Sequence, residues 1–370
     1  MGKIKVLEAV TTGEWSGVQK VVYEIVKGIN EKYPEEFEFE ILSGTDGRFI
    51  SEIEKLNVKY HIIPELVKNV SPLNDLKAFG KIKKLINERK YDVLHFHTSK
   101  LRVLGSFAAN QKNVKKVVFT THGWWHINSK KFLSKQIFIF LERLAAKNAD
   151  YLVYLCNREK MIAEQWKIGE RKKYFIVENA ISPFYNKKGK LRKILGVGED
   201  VIIIGNVARL DPQKNPFRFL EVALELSKIL DNVLFVWIGE SVVNKAYGDT
   251  FKNLINSTPE LKNKFKLLGF QPNAEELIND FNFLLLTSDE EAYPLTALEA
   301  IMNNVPVIST DVGCLREMKG VITFNKTEFV KKAVEYITKH SRKLINSGTE
   351  IDISKSLENF IFKYASIYKA

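Results

Sequence analysis

Cysteine is nearly missing from this chain: two in 370 residues, Cys156 and Cys314. Neither has metal-ligand or redox spacing, which argues against a zinc or thiol-redox protein and makes a reducing compartment the simple reading. Long apolar runs are missing too, and none approaches the roughly 18 residues that a membrane span needs. The opening residues, MGKIKVLEAV, enter a strand pattern at once and carry no signal-peptide core. Val6 breaks the myristoylation pattern. No internal repeat, low-complexity stretch or full G-x-G-x-x-G is visible. No D-x-D pair stands where a divalent metal would be held.

What remains is an ordinary globular composition, 45% hydrophobic and 27% charged. The length suggests two domains rather than one core. Net charge is +12, and its location is informative. Between Lys68 and Asp150, seventeen Lys and Arg face five Asp and Glu, a difference of +12 equal to the whole excess. So local an imbalance points to a polyanionic partner such as nucleic acid or an anionic lipid surface, against the plainer reading of a solvated face.

Phe283 to Gly313 organises the chain. An apolar run, Phe283–Leu286, reads as a buried strand, and the acidic loop Thr287–Glu291 follows it. Pro294 reads as the first residue of a helix, and Pro306–Ser309 as the next strand. Such units build parallel sheets that bind ligands at the carboxyl ends of their strands. Glu291 precedes the helix and Glu299 lies within it. The free N–H groups around Tyr293–Thr296, Leu295 among them, favour an anion. Diphosphate on the amides and hydroxyls on the carboxylates would suit a sugar nucleotide; two solvated glutamates are the alternative.

Similar turns recur along the chain. Lys3–Ala9, a loop through Val10–Gly17 and a helix from Val18 make a first strand–turn–helix, with Ser16-Gly17 at the turn and Trp15 beside it. Val117–Thr120 leads into Thr121-His122-Gly123-Trp124-Trp125. His95 and His97, in LHFHTS, alternate along a strand; with no acidic or cysteine companion evident they read as structural, or at best acceptor-facing. Lys130–Lys147 is basic and amphipathic, with Phe132, Leu133, Ile137, Phe140, Leu141 and Leu144 as its apolar side. That side either packs on the sheet or, beside Trp124 and Trp125, faces a membrane. Asn186–Lys190 is the best linker. Val201–Val207 then ends in Ala208-Arg209-Leu210-Asp211-Pro212-Gln213-Lys214-Asn215, which sets two cations at one helix start. They need an anion between them, or salt bridges to the acidic loop.

These segments resemble the retaining GT-B glycosyltransferases of the family-four type. Glu291, Pro294, Leu298, Glu299, Ala300, Pro306 and Val307 match its E-x7-E signature. Ala292 and Asn304 stand where the family usually has Gly, and Arg209 and Lys214 match its R-x4-K pattern. The resemblance implies two Rossmann-like α/β domains facing across a cleft: residues 1–185 for the acceptor, 186–354 for the donor, and 355–370 as a helix returning to the first. It implies transfer, with retention and without metal or other cofactor, from a nucleoside diphosphate sugar (UDP-linked by preference) to a glycan or lipid-linked glycan. Arg209 and Lys214 would hold the diphosphate with amides near Leu295 and Thr296, and Glu299 the ribose. Glu291 and His122 would stand at the reacting sugar. Ser16, Gly17, Gly239 and Phe270 would complete the donor pocket. The basic segment adds a peripheral, cytoplasmic-face location on an anionic membrane. A GT-B sugar-nucleotide epimerase, a nucleic-acid-binding protein and a non-catalytic glycan binder are the rivals. The basic residues form no nucleic-acid reading motif, so no nucleic-acid partner is expected.

Overall fold

The computed structural model describes residues 2–109, 114–184, 188–241, 245–341 and 353–370. The chain divides into two compact units, Met1–Ser182 with Ser354–Ala370, and Pro183–Ile353. The linker expected at 186–190 begins outside the described residues.

In the first unit, β1 (Ile4–Ala9), α1 (Gly17–Lys32), β2 (Phe37–Ser43), α2 (Arg48–Lys55), β3 (Lys59–Ile62) and α3 (Pro72–Arg89) alternate. They continue through β4 (Val93–Phe96), α4 (Ser99–Ala108), β5 (Lys116–Thr120), α5 (Trp125–Asn128), α6 (Phe132–Lys147), β6 (Tyr151–Tyr154), α7 (Asn157–Gln165) and β7 (Tyr174–Ile176). The second unit runs α8 (Lys190–Leu195), β8 (Ile202–Val207), α9 (Pro216–Ser227), β9 (Val233–Ile238), α10 (Lys245–Ser257), β10 (Phe265–Gly269), β11 (Phe283–Leu286), α11 (Leu295–Met302), β12 (Val307–Thr310), β13 (Val321–Phe324) and α12 (Phe329–Ser341). The last helix, α13 (Ile353–Lys369), belongs to the first unit.

Both sheets are parallel, with orders β3-β2-β1-β4-β5-β6-β7 and β10-β9-β8-β11-β12-β13. The apolar runs explain this. Leu284 and Leu285 are buried, as are Phe235, Val236 and Trp237, because helices cover each sheet on both faces. The chain order reverses once in each sheet, between β1 and β4 and between β8 and β11. At such switch points the loops diverge and open a crevice at the carboxyl ends of the strands.

Three sequence expectations are corrected at the level of packing. Pro294 is the cap of α11 and lies outside it, with φ −69° and ψ 124°. The core face of α6 is Ile139, Glu142, Ala145 and Ala146, so Phe132, Leu133, Ile137 and Phe140 point to solvent. Trp124, read as part of a membrane-facing edge, is buried against Trp166 and Tyr154.

Candidate active site

In the second unit the loops that follow β8 and β11 are laced together. The Asp289 amide donates to the Gln213 carbonyl at 2.8 Å, and Gln213 Nε2 donates to the Glu290 carbonyl at 3.1 Å. Thr287 Oγ1 reaches the carbonyls of Lys214 and Asn215 at 3.1 and 3.0 Å. Arg218, from the first turn of α9, donates to the Thr287 carbonyl and pairs with Asp289 at 2.8 Å. Asn215 adopts the left-handed region, φ 44°, and its side chain caps α9 by accepting the Arg218 amide. That scaffold sets the charged groups.

Lys214 Nζ meets Glu291 Oε1 at 2.6 Å, and Ser288 Oγ donates to the same oxygen at 2.5 Å. Glu291 is buried, and a buried ion pair that loses one member costs about 3–5 kcal/mol. Arg209 is exposed and tethered by Asp211 Oδ2 at 3.1 Å and Gln213 Oε1 at 3.4 Å. Lys214 is therefore paired with the acidic loop, as the salt-bridge alternative has it, while Arg209 is balanced by Asp211 of its own turn.

Helix α11 starts against the end of β8, where Thr296 Oγ1 contacts the Val207 carbonyl at 3.4 Å. Leu295 and Glu299 are buried in its first two turns, and its leading amides lack intrahelical partners. The two departures from the glycine pattern resolve differently. Asn304 takes φ 55°, which Asn tolerates best after Gly, whereas Ala292 is not among the positive-φ residues and needs no glycine. The indispensable glycine here is Gly313, at φ 53°, where an added Cβ would lie 1.8 Å from the Glu291 carbonyl oxygen. Gly239 is similar: at φ 130° its Cβ would fall 2.1 Å from the Ala208 oxygen. Phe270 stands exposed after β10.

In the first unit, Ser16 caps α1 and its hydroxyl contacts Gln19. Gly17 is exposed, with nothing within 4 Å of an added Cβ, so packing does not demand glycine there. Trp15 is half-buried, edge-on to Tyr23 at 5.5 Å, with Arg48 over its ring.

His122 heads a network that includes the residues read as lone strand histidines. Its Nε2 lies 3.0 Å from His97 Nδ1, and His97 Nε2 lies 2.6 Å from Glu8 Oε2. Glu8 also meets His95 Nδ1 at 3.1 Å and accepts from the Tyr368 hydroxyl at 2.5 Å. His95 Nε2 completes the group at 2.8 Å from Thr120 Oγ1. The expectation that no acid accompanies these histidines is thus overturned. Glu8 pairs with His95 across neighbouring strands, which sequence distance conceals. One signal was present: an acid in β1 flanked by the apolar Val6, Leu7 and Ala9.

Burial works to raise the Glu8 pKa, but attraction and hydrogen bonds from His95 and His97 outweigh it and hold the carboxyl well below its usual range. Burial, then repulsion from His95, lowers His97 to about 4; burial and the neighbouring imidazoles push His122 down as well. Among the described residues, Glu8, His95 and His97 are the group with metal-ligating potential. Two ligands of a tetrahedral zinc would stand about 3.3 Å apart at ordinary bond lengths. The 2.6 Å between His97 and Glu8 is instead the length of a charge-assisted hydrogen bond.

Comparison with known proteins extends this picture. Residues 15–183 match the model "Glycosyltransferase Family 4", and residues 187–360 match "Glycosyl transferases group 1". The chain is 29% identical over 318 residues to an Escherichia coli UDP-Gal:alpha-D-GlcNAc-diphosphoundecaprenol alpha-1,3-galactosyltransferase, covering 84% of this chain and 80% of that protein. It is 26% identical to the alpha-monoglucosyldiacylglycerol synthase of Acholeplasma laidlawii, over 77% of each chain. Anabaena Alr3699/HepE, solved with UDP and glucose, superposes with a TM-score of 0.81 at 18% identity, over 99% of this chain and 100% of that one. Two parallel sheets with this strand order, two adjoining family models and a run of glycosyltransferase relatives together make this chain a GT-B glycosyltransferase of the family-four type.

Proposed function

We infer that this enzyme moves a hexose from a UDP-sugar to a lipid-linked glycan, with retention and without a metal. The observation that carries the reading is the exposed Arg209 guanidinium in the loop after β8, at the switch point of the second sheet, with Lys214 five residues on in the same loop. As the glycosidic bond breaks, negative charge gathers on the diphosphate, and nearby cations stabilise it. Arg209, exposed and held only at its tip, turns to the phosphates; Lys214 and the amides of Leu295 and Thr296 assist. Glu299 takes the ribose hydroxyls, and Gly239 and Phe270 border the base. Glu291, its charge balanced by Lys214, stabilises the cationic sugar. The anomeric carbon exchanges a diphosphate oxygen for the acceptor's hydroxyl oxygen, and the hydroxyl proton leaves with the diphosphate. Ser16, Gly17 and His122 contact sugar from the first unit.

The E. coli relative's acceptor is a diphosphoundecaprenol-linked sugar, which favours a lipid-linked acceptor here. The surface of the first unit supports a peripheral, cytoplasmic-face location. On α6, Phe132 and Leu133 are 73% and 77% exposed, among Lys130, Lys131 and Lys135. On and before α3, Val70, Leu73 and Leu76 are exposed as well. Among the described residues no helix is long and apolar enough to cross a membrane.

The decisive experiment offers radiolabelled UDP-sugars and a polyprenyl-diphosphate-linked monosaccharide to the purified enzyme in excess chelator. A labelled lipid-linked disaccharide is the expected product. Conversion of the nucleotide sugar without acceptor would make it an epimerase. Activity lost to chelator and restored by manganese would overturn the protein-cation mechanism.

A further inference from the structure

The chain of contacts from Glu8 through His97 to His122 fixes more than geometry. A carboxylate held ionised can only accept, so the proton in the 2.6 Å contact belongs to His97 Nε2. His97 is kept neutral by burial, which leaves its Nδ1 a lone pair. That lone pair must accept from His122 Nε2 at 3.0 Å, so the proton of a neutral His122 is on Nε2. His122 Nδ1 is then an acceptor, and among the described residues no protein group claims it. The ring is half-buried, in contrast to fully enclosed His95 and His97, so the network has one end at the surface.

We propose that Glu8 and His97 are positioning residues that lock His122 into one tautomer, presenting Nδ1 as a hydrogen-bond acceptor to a hydroxyl of the bound sugar. The closure comes from α13, the far end of the chain. Tyr368 donates to Glu8, and Tyr364 shares Thr120 with His95 at 3.1 Å. Other groups facing the network are Arg102 from α4, whose charge acts on both His97 and His122, and His95 itself. This inference rests on the reading of His122 as a sugar-facing residue, but its tautomer can be measured without that reading.

Glu8→Gln tests it. With the Tyr368 hydroxyl donating to the oxygen in the Oε1 place, the glutamine NH2 takes the Oε2 place facing His97 Nε2, which moves the His97 proton to Nδ1 and so leaves His122 to carry its proton on Nδ1. Nitrogen-15 spectra of the imidazoles, assigned with His122→Ala, should show His122 protonated at Nε2 in the wild type and at Nδ1 in the variant. Turnover should fall on the order of 10²-fold, with the KM for the nucleotide sugar little changed. His97→Asn cuts the relay directly and should match that loss, which covers the case of Glu8→Gln failing to fold. A wild-type His122 protonated at Nδ1, or Glu8→Gln with unaltered spectra and rate, would overturn the relay. If His122→Ala keeps full activity while the tautomer is as stated, the sugar-facing role fails and the relay stands as structure only.

Discussion

Glu291 in the second unit is met by a lysine at 2.6 Å beside an exposed arginine. Glu8 in the first unit is met by imidazoles and a tyrosine, enclosed from solvent. Both carboxylates lie beside a switch point of a parallel sheet, yet one sits among full charges and the other among largely neutral donors. The exposed Arg209 guanidinium can be drawn to a diphosphate, whereas His97 and His122 are pushed towards the neutral form by burial and are left with direction. The one arrangement suits neutralising a leaving group, and the other suits orienting a hydroxyl.

The sharpest way to break this contrast is to remove the cations. Arg209→Ala or Lys214→Ala should lower turnover on the order of 10²-fold or more. Near wild-type rates in both, with the fold intact by circular dichroism, would strip the second unit of its assigned role.

Acid should separate the units next. With His97 lowered to about 4, the unfolded chain binds a proton that the native one refuses between about pH 6.5 and 4, so stability falls as pH drops through that window. Glu8, held below its usual range, adds stability above about pH 4.3 that is lost on further acidification. Denaturant titrations at pH 7.5 and 5 should show the first unit weakened at the lower pH, and His97→Gln should flatten that dependence. An unchanged slope in the variant would disprove it.

The smallest effect concerns the surface. Replacing Phe132, Ile137 and Phe140 together by Ser should weaken sedimentation with anionic vesicles by about 10-fold, and high salt should weaken the wild type as well. Equal binding of variant and wild type, or wild-type binding to neutral vesicles as tight, would leave the lysines and the apolar face without that role.

Sequence alone determined the elements that need only local information. Phe283–Leu286 and Val233–Ile238 are strands end to end, because a strand buried on both faces is a continuous apolar run. The places of Arg209, Lys214, Glu291 and Glu299 follow from the strand–turn–helix unit, which sets them after β8 and after β11. Between residue 320 and the last helix the sequence shows little, since β13 is short and only half-buried. Only the tertiary structure decided that Lys214 pairs with Glu291 across 77 residues and that Glu8 joins His97 across 89. It alone turned Phe132, Leu133, Ile137 and Phe140 of α6 outward, because its core face is filled by Ile139, Glu142, Ala145 and Ala146. Periodicity says that a helix has two faces; which face meets the core depends on partners brought near by the fold.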